Sequence, residues 1–225
     1  MESYKREFIQ FLEMAGVLKF GDFTAKSGRK IPYFINAGEI KTGKEIATLG
    51  EFYARAYREK LGQRKAVLYG PAYKGISIAV SAAVALSRDG LDVPFFFNRK
   101  EAKDHGADKG GFLGSSLKDG DRVVMIEDVT TSGKSMEETV PKVRGAANVE
   151  IVGLMVSLNR MEVGQGGVKS ALDEIHEKYG FEGKAIVTME EVVEHLYNRE
   201  CQGRIVIDDT IRKAIDAYYE QYGCK

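Results

Sequence analysis

Residues 123–135 constrain the fold of this chain more than any other segment. Four apolar residues at 123–126 run directly into two adjacent carboxylates, Glu127 and Asp128, and a short loop follows them. A short apolar run of this kind is typical of a parallel strand that is covered on both faces. Because open α/β sheets bind ligands beyond the carboxyl ends of their strands, the pattern predicts a ligand site here.

The loop over residues 130–135 suits a phosphate group. It offers hydroxyl groups and backbone N–H groups at the start of a predicted helix. Glu127 and Asp128, just before it, can accept hydrogen bonds from the vicinal hydroxyls of a ribose. The segment is therefore a candidate for holding a ribose and its phosphate together.

Two other interpretations of this segment remain open on its residues alone. The Gly-Lys-Ser at 133–135 could end a Walker P-loop, but that motif needs a glycine where this chain has Asp128. The segment could also be a buried strand followed by an ordinary N-cap loop, with both carboxylates merely solvated.

Composition bounds the class of protein. The chain has 225 residues, of which 44% are hydrophobic and 29% charged, as is ordinary for a soluble globular protein. Lys and Arg total 33, as do Asp and Glu, so no global positive charge favours nucleic acid. No apolar stretch approaches the roughly 18 residues of a membrane span, and the N-terminus lacks the apolar core of a signal peptide. We expect a cytoplasmic protein with no nucleic-acid or membrane partner, in which Cys201 and Cys224 are reduced.

Strands and helices alternate along most of the chain, which predicts an α/β fold with an open, mostly parallel twisted sheet flanked by helices. The predicted strands lie at residues 66–69, 93–97, 122–126, 151–158 and 185–188. The predicted helices lie at 4–15, 42–61, 76–88, 135–147, 168–179, 188–198 and 208–221, two of them opened by capping boxes at 42–45 and 188–191. A hairpin is expected over 18–36. We expect one domain over 1–225, with an N-terminal helix–hairpin hood at about 1–40 and an α/β core at about 62–200.

The loop at 70–75 is a second candidate ligand site, because two glycines flank Tyr73 and Lys74 between a predicted strand and a predicted helix. Its backbone N–H groups and Lys74 could bind a phosphate or a pyrophosphate. A Gly-Pro turn with a solvated lysine is an equal alternative on these residues alone.

The segment 99–111 is polar, glycine-rich and long for a connection inside a compact domain. Such loops are usually lids or disordered segments. Its cations, Arg99, Lys100, Lys103 and His105, would neutralise a polyanionic leaving group, and its closure would exclude water. A solvated loop without a catalytic role is the alternative.

Weaker candidates lie elsewhere. Lys26 is in the hairpin turn close to Phe34, where a cation and an aromatic ring could receive a flat anionic ring. Arg160 is a lone arginine just beyond the predicted strand at 151–158, and a surface arginine is the plainer interpretation. His176 and His195 lie on predicted amphipathic helices, where we expect surface or packing roles.

Together these segments resemble the orotate phosphoribosyltransferase family over most of the chain, from the hairpin to the last predicted strands. Residues 23–29 and 32–34 are similar to the N-terminal signature of that family, residues 70–75 to its pyrophosphate loop and residues 99–106 to its catalytic lid. Residues 127–133 are similar to a phosphoribosyl-diphosphate motif that many type I phosphoribosyltransferases share. The lid and the N-terminal signature are what point to orotate.

The resemblance implies a type I phosphoribosyltransferase fold and a Mg²⁺-dependent glycosyltransferase of pyrimidine (UMP) biosynthesis. The implied reaction joins orotate and phosphoribosyl diphosphate, giving orotidine 5′-monophosphate and pyrophosphate. It also implies a homodimer in which the lid reaches into the neighbouring subunit's site. Mg²⁺ is expected to be held mainly through substrate and water, because it often binds with few protein carboxylates.

The resemblance also assigns residues to roles. It gives catalytic roles to Lys100, Lys103, His105 and Asp128. It implies contacts with phosphoribosyl diphosphate for Lys26, Tyr73, Lys74, Arg99, Lys100, Lys103, His105, Glu127, Asp128, Val129, Thr130, Thr131, Ser132, Gly133, Lys134 and Ser135. It implies contacts with orotate for Lys26, Phe34, Ile35, Thr131 and Arg160, the last through a bidentate pair with the orotate carboxylate. Lys134 departs from the small or hydroxyl residue expected there, and nothing is transferred to the tail after about residue 198.

Two alternative functions stay open on the sequence. A phosphoribosyltransferase for another base would use orotate poorly beside a purine or uracil. A non-catalytic binder of phosphoribosyl diphosphate, such as a regulator, would have no leaving group to neutralise, so the cationic lid argues against it.

Overall fold

The computed structural model describes residues 1–25, 28–99, 111–130 and 133–224, with residue 134 described by its backbone. Its helices are α1 (Ser3–Met14), α2 (Gly43–Leu61), α3 (Lys74–Arg88), α4 (Lys134–Ala146), α5 (Ala171–Tyr179), α6 (Met189–Leu196) and α7 (Asp209–Tyr222). Its strands are β1 (Leu18–Thr24), β2 (Lys30–Ile35), β3 (Val67–Gly70), β4 (Phe95–Asn98), β5 (Phe112–Gly114), β6 (Arg122–Ile126), β7 (Glu150–Asn159), β8 (Gly183–Thr188), β9 (Glu200–Cys201) and β10 (Arg204–Ile205).

Six of the strands form one open sheet in the order β5-β4-β3-β6-β7-β8. The pairs from β4 to β8 are parallel, and β5 joins the edge of β4 in the antiparallel direction. This mostly parallel sheet confirms the predicted fold class. The two parallel strands that follow β3 in the chain, β4 and β6, lie on opposite sides of it, so the strand order reverses at β3. Ligands of open α/β sheets bind in the crevice at such a switch point, beyond the carboxyl ends of the strands.

Alternate residues of the central strands face two different layers of helices. Leu68 and Val124 belong to one core cluster, which includes buried residues of α1, α2, α3, α6 and α7. Val67 and Val123 belong to a second cluster, which includes buried residues of α4 and α5. Because helices cover both faces, the central strands appear in the sequence as unbroken apolar runs.

The N-terminal helix and hairpin form as predicted. β1 and β2 pair antiparallel with Leu18 opposite Ile35. The Phe8 ring of α1 packs 4.9 Å from the Phe52 ring of α2, which fixes α1 against the core. On the other side, the Tyr33 ring of β2 lies 5.8 Å from the Tyr218 ring, so the hairpin also packs against α7.

Both predicted capping boxes are present, at the starts of α2 and α6. The sequence pattern does not predict β5, β9 or β10, because strands of two or three residues are too short to show a period. α3 begins at Lys74, two residues before the predicted start, so Lys74 and Gly75 lie in its first turn.

Several residues outside the sheet match their expected environments. Cys201 and Cys224 are free thiols. His195 is buried on α6, and His176 is exposed on α5, as packing and surface roles require. Within the described ranges, no helix is both long enough and apolar enough to cross a membrane.

Candidate active site

The loops that follow β3 and β6 meet at the switch point and enclose a cavity of about 450 Å³. The cavity therefore lies where the strand order predicts a ligand site. It brings together two segments that the sequence singles out separately, the loop at 70–75 and the carboxylate pair at 127–128. Its lining residues are Pro71, Ala72, Tyr73, Lys74, Gly75, Asn98, Glu127, Asp128, Ser135, Glu138, Thr139 and Lys142.

An ion pair joins the two loops across this cavity. The Nζ of Lys74 lies 3.1 Å from Oδ2 of Asp128. The same ammonium group donates to Oδ1 of Asn36, at 3.4 Å. Asn36 ends the N-terminal hairpin and caps the short 3₁₀ helix at Ala37–Glu39. The hairpin, the loop at 70–75 and the carboxylate pair therefore converge on one lysine.

Two glycines allow the loop at 70–75 to pass so close to the sheet. A Cβ on Gly70 would overlap the backbone of Gly75, and a Cβ on Gly75 would lie 2.9 Å from the carbonyl oxygen of Ile126. These contacts are with backbone atoms, which cannot move aside as a flexible side chain can. The glycines thus let the N-terminal end of α3 pack against the ends of β3 and β6.

Asn98 is a cavity residue that the sequence analysis did not identify. Its Oδ1 accepts hydrogen bonds from the backbone N–H of Ala72 at 2.9 Å and from the Tyr69 hydroxyl at 2.8 Å. It therefore fixes the position of the loop at 70–75 relative to β3 and β4. The available signal was its place at the carboxyl end of a predicted strand, where polar side chains often contact ligands.

Glu127 is a buried carboxyl at the end of β6. Its Oε2 accepts a hydrogen bond from the Ser135 hydroxyl at 3.1 Å, and its carbonyl oxygen accepts one from the Tyr53 hydroxyl at 2.5 Å. Burial raises the pKa of Glu127 to about 7, against the lowering effect of Ser135 and with a further increase from Asp128. This carboxyl group consequently exchanges its proton close to neutral pH.

Asp128 is held through its backbone. Its carbonyl oxygen accepts hydrogen bonds from the backbone N–H of Ser157 at 2.8 Å and from the Ser157 hydroxyl at 2.5 Å. These bonds anchor residue 128 to β7, while its side chain lines the cavity beside Lys74. The carboxylate therefore extends from a backbone position that is hydrogen-bonded to β7.

The start of α4 lies beside the two carboxylates. Gly133 is the N-cap residue, and its φ of 67° is in the left-handed region that favours glycine. Thr130 is buried, Val129 forms a parallel bridge with Leu158, and Ser135 lines the cavity. Backbone N–H groups at a helix start attract anions, so this geometry suits the predicted phosphate loop.

The predicted lid connects β4 to β5. At its base, the backbone N–H of Arg99 donates to the carbonyl oxygen of Gly111 at 2.8 Å, next to the pairing of Asn98 with Phe112. The predicted lid thus starts and ends at one edge of the sheet. Several predicted site residues lie outside the described part of the chain: Lys26, Lys100, Lys103, His105, Thr131, Ser132 and the side chain of Lys134.

The predicted orotate residues that the structure describes do not line this cavity. Arg160 follows β7 at the same edge of the sheet, and its Nη2 lies 2.6 Å from Oε1 of the buried Glu162. Burial alone would lower the pKa of Arg160, but Tyr33 and Glu162 outweigh burial and hold it above its ordinary value. The exposed Phe34 ring lies 5.7 Å from the Phe23 ring, and Ile35 is half-buried.

Comparisons with known proteins identify the family of the chain. Residues 36–179 match the phosphoribosyl transferase domain family. The chain is 73% identical to an orotate phosphoribosyltransferase of Agathobacter rectalis over 100% of both chains. It is 57% identical to one of Lachnoclostridium phytofermentans over 99% of both chains.

A solved structure extends this similarity to three dimensions. The crystal structure of orotate phosphoribosyltransferase from Francisella tularensis superimposes with a TM-score of 0.81 at 32% identity, covering 96% of this chain and 99% of that one. The mostly parallel six-stranded sheet flanked by helices is therefore a type I phosphoribosyltransferase fold. The chain therefore belongs to the orotate phosphoribosyltransferase family.

Proposed function

We propose that the chain transfers the 5-phosphoribosyl group from phosphoribosyl diphosphate to orotate, giving orotidine 5′-monophosphate and pyrophosphate, in pyrimidine biosynthesis. The relatives that carry this name support the reaction. The observation that carries the proposal in the structure is the meeting of Lys74 and Asp128 in one polar cavity at the switch point. The bond that breaks joins the ribose to pyrophosphate. The Asp128 carboxylate would hold the ribose, and the Lys74 ammonium on the facing loop would bind the pyrophosphate.

The carboxylates act on the ribose. The bond from C1 of the ribose to pyrophosphate breaks as a bond to the orotate ring nitrogen forms, and positive charge develops on the ribose ring. That nitrogen gives up its proton, which leaves with the pyrophosphate or the solvent. Glu127 and Asp128 accept hydrogen bonds from the vicinal ribose hydroxyls. The start of α4 binds the 5-phosphate through its N–H groups. The ribose is thereby held at both ends, and an oriented reactant needs less ordering to reach the transition state.

The cations act on the leaving group. Pyrophosphate carries away the bonding electrons, so positive groups placed where its charge develops lower the barrier. Lys74 reaches this position from the first turn of α3, and Tyr73 is exposed beside it. Lys100, Lys103 and His105, on the predicted lid, would add charge as it closes and excludes water.

Mg²⁺ would share the charge on the diphosphate. It prefers oxygen ligands and commonly binds through substrate phosphates, water and few carboxylates. The described residues contain no cluster of three or more His, Cys, Asp or Glu that could hold a metal alone. Glu127 and Asp128, which line the cavity, would supply the carboxylate oxygens. This donor set fits a metal that arrives with phosphoribosyl diphosphate.

Two substitutions test the reaction and its site. Asp128→Asn and Lys103→Ala should each lower turnover of orotate by about a hundred-fold or more, since each removes charge that acts in the transition state. Both variants should melt within a few degrees of the wild-type protein. Turnover like that of the wild type in both folded variants would contradict the site assignment.

We further propose a cytoplasmic homodimer in which the lid of one subunit completes the site of the other. The two inactive variants also test this arrangement. In a mixed dimer, one site would combine an intact Asp128 with an intact Lys103 from the neighbour. Random exchange of subunits between equal amounts of the variants should therefore restore about a quarter of the wild-type activity. No recovery after verified exchange would show that each lid serves its own subunit.

A further inference from the structure

Glu162 is the centre of a buried cluster that lies outside the cavity described above. Only 7% of its side chain is exposed. Its Oε1 accepts hydrogen bonds from Nε of Arg160 at 3.0 Å and from Nη2 of Arg160 at 2.6 Å. The Tyr33 hydroxyl donates to the same oxygen, and Nη2 of Arg29 donates to Oε2 at 3.2 Å. Each oxygen of this carboxylate thus accepts a hydrogen bond from the hairpin, and Oε1 also accepts two from Arg160.

The cluster joins three segments that are far apart in the sequence. Arg29 and Tyr33 come from the N-terminal hairpin, and Arg160 and Glu162 follow β7. The Tyr219 hydroxyl of α7 donates to the carbonyl oxygen of Arg160 at 2.5 Å. The hairpin, the carboxyl edge of the sheet and the C-terminal helix are therefore fixed to one another around Arg160.

The charges of the cluster do not balance. Arg29 and Arg160 are both positive, and Glu162 is the one carboxylate that the structure places against them in the described part of the chain. A buried ion pair is favourable only when its hydrogen bonds and charges are well matched. The net charge of the cluster is therefore positive, with the Arg29 side chain 31% exposed to solvent, and this charge would attract the carboxylate of a base bound at Arg160.

The geometry also selects which edge of the Arg160 guanidinium can meet a ligand. Glu162 binds the edge formed by Nε and Nη2. A guanidinium is planar and presents two such edges, so the edge formed by Nη1 and Nη2 is directed elsewhere. A bidentate pair needs a fixed orientation of both partners, because its two parallel hydrogen bonds are lost together when the plane rotates.

We propose that Glu162 is a positioning residue that holds Arg160, through the hairpin contacts of Tyr33 and Arg29, in the orientation that binds the carboxylate of the orotate ring. This inference rests on the proposed function and on the contact with orotate that the family resemblance implies for Arg160. It assigns to Glu162, Arg29 and Tyr219 a role in base selection that they exert without touching the base. It also gives the C-terminal helix a part in the site.

A pair of nucleotides isolates the contribution of the carboxylate on the base to binding. Uridine 5′-monophosphate differs from orotidine 5′-monophosphate only in lacking that group. The Kd of uridine 5′-monophosphate divided by the Kd of orotidine 5′-monophosphate, both measured by titration calorimetry on the same protein, reports the contact with the orotate carboxylate. Loss of folded protein or general loosening of the site affects both ligands and largely cancels in the ratio. Wild-type protein should favour orotidine 5′-monophosphate by about ten-fold or more, as a charged bidentate pair would.

Glu162→Ala should lower this ratio by about five-fold or more, although it increases the net positive charge around Arg160. A ratio that is unchanged or higher in the folded variant would overturn the inference, because charge rather than orientation would then control binding. Arg160→Gln separates this result from the proposed function. If Arg160→Gln keeps the wild-type ratio, the assignment of Arg160 fails. If Arg160→Gln lowers the ratio while Glu162→Ala keeps the wild-type ratio, only the positioning role of Glu162 fails.

A milder variant decides the question if Glu162→Ala does not fold. Tyr33→Phe removes one donor to Glu162 and leaves both arginines in place. It should lower the ratio by about two-fold or more. Tyr4→Phe is the matched control, since the Tyr4 hydroxyl donates to Oε2 of Glu59 at 2.6 Å on the α1–α2 side of the fold. The control should keep the wild-type ratio, and an equal ratio in the two phenylalanine variants would overturn the inference.

Discussion

Lys74 and Asp128 form an ion pair of 3.1 Å across the switch point of the sheet, which joins the loop after β3 to the loop after β6. Each residue comes from a segment that has an ordinary structural interpretation by itself. Their contact shows that the two segments share one site. It also places the cation that would bind pyrophosphate beside the carboxylate that would hold the ribose.

Replacing Lys74 should weaken the binding of phosphoribosyl diphosphate as well as slow the transfer step. Lys74→Ala removes a charged donor from the diphosphate position, so we expect the KM for phosphoribosyl diphosphate to rise by about ten-fold or more. The KM for orotate should change by less than about three-fold. Initial-rate measurements with each substrate varied in turn would show the difference.

Lys178→Ala is the control for this experiment. Lys178 also forms an exposed lysine–carboxylate pair, 2.7 Å from Glu137, but it does not line the cavity. Both KM values should stay at their wild-type levels in this variant. Equal changes in the two lysine variants would mean that Lys74 has no specific role.

Glu127 should make the unliganded protein less stable as the pH rises. Its folded-state pKa of about 7 lies above the ordinary value of 4.5, so the folded protein binds more protons than the unfolded chain between these values. The free energy of unfolding should therefore fall from about pH 5 to about pH 8, by an amount on the order of 3 kcal/mol.

Glu127→Gln removes the titrating group and should remove this part of the pH dependence. Urea unfolding of both proteins at pH 5 and pH 8 measures the difference directly. The variant should gain stability relative to the wild type at pH 8 more than at pH 5. An identical pH dependence in the two proteins would show that Glu127 does not titrate in this range.

Asn98 should prove to be a residue that positions the pyrophosphate loop. Asn98→Ala leaves the N–H of Ala72 and the hydroxyl of Tyr69 without their acceptor, which should cost about 1–3 kcal/mol of unfolding free energy. It should also raise the KM for pyrophosphate in the reverse reaction. Tyr69→Phe, which keeps the hydrogen bond from the Ala72 N–H to Asn98, should raise this KM less. A larger increase of this KM in Tyr69→Phe than in Asn98→Ala would contradict the positioning role of Asn98.

The glycines of the same loop should be intolerant of a side chain. Gly70→Ala places a methyl group against the backbone of Gly75, so we expect a loss of about 2 kcal/mol or more of stability and a strong loss of activity. Gly145→Ala on α4 is the control, because nothing lies within 4 Å of its Cβ position. It should be neutral or slightly stabilising. Similar stability in both alanine variants would contradict the close approach.

Most helices and strands of this fold could be predicted because the sequence signals for them are local. The capping boxes at Thr42 and Thr188 and the apolar run before Glu127 each depend on a few neighbouring residues. The strands β5, β9 and β10 could not be predicted, since their few residues gain their structure from a partner strand.

The site could be predicted only in part, for the same reason. The sequence identified Lys74 and Asp128 separately, but their contact depends on the strand order. Asn98, just after the predicted strand at 93–97, and Glu162, two residues after Arg160, were not singled out from the sequence. The role of Glu162 depends on Tyr33, 129 positions earlier in the chain, and no local pattern connects the two.

The most direct test of the central claim is to mix the purified protein with orotate, phosphoribosyl diphosphate and Mg²⁺ and to follow the loss of orotate absorbance. We predict a loss that needs all three components and releases pyrophosphate in equal amount. Uracil or a purine base in place of orotate should react far more slowly. No loss of orotate while phosphoribosyl diphosphate still binds, or faster turnover of another base, would contradict the proposed function.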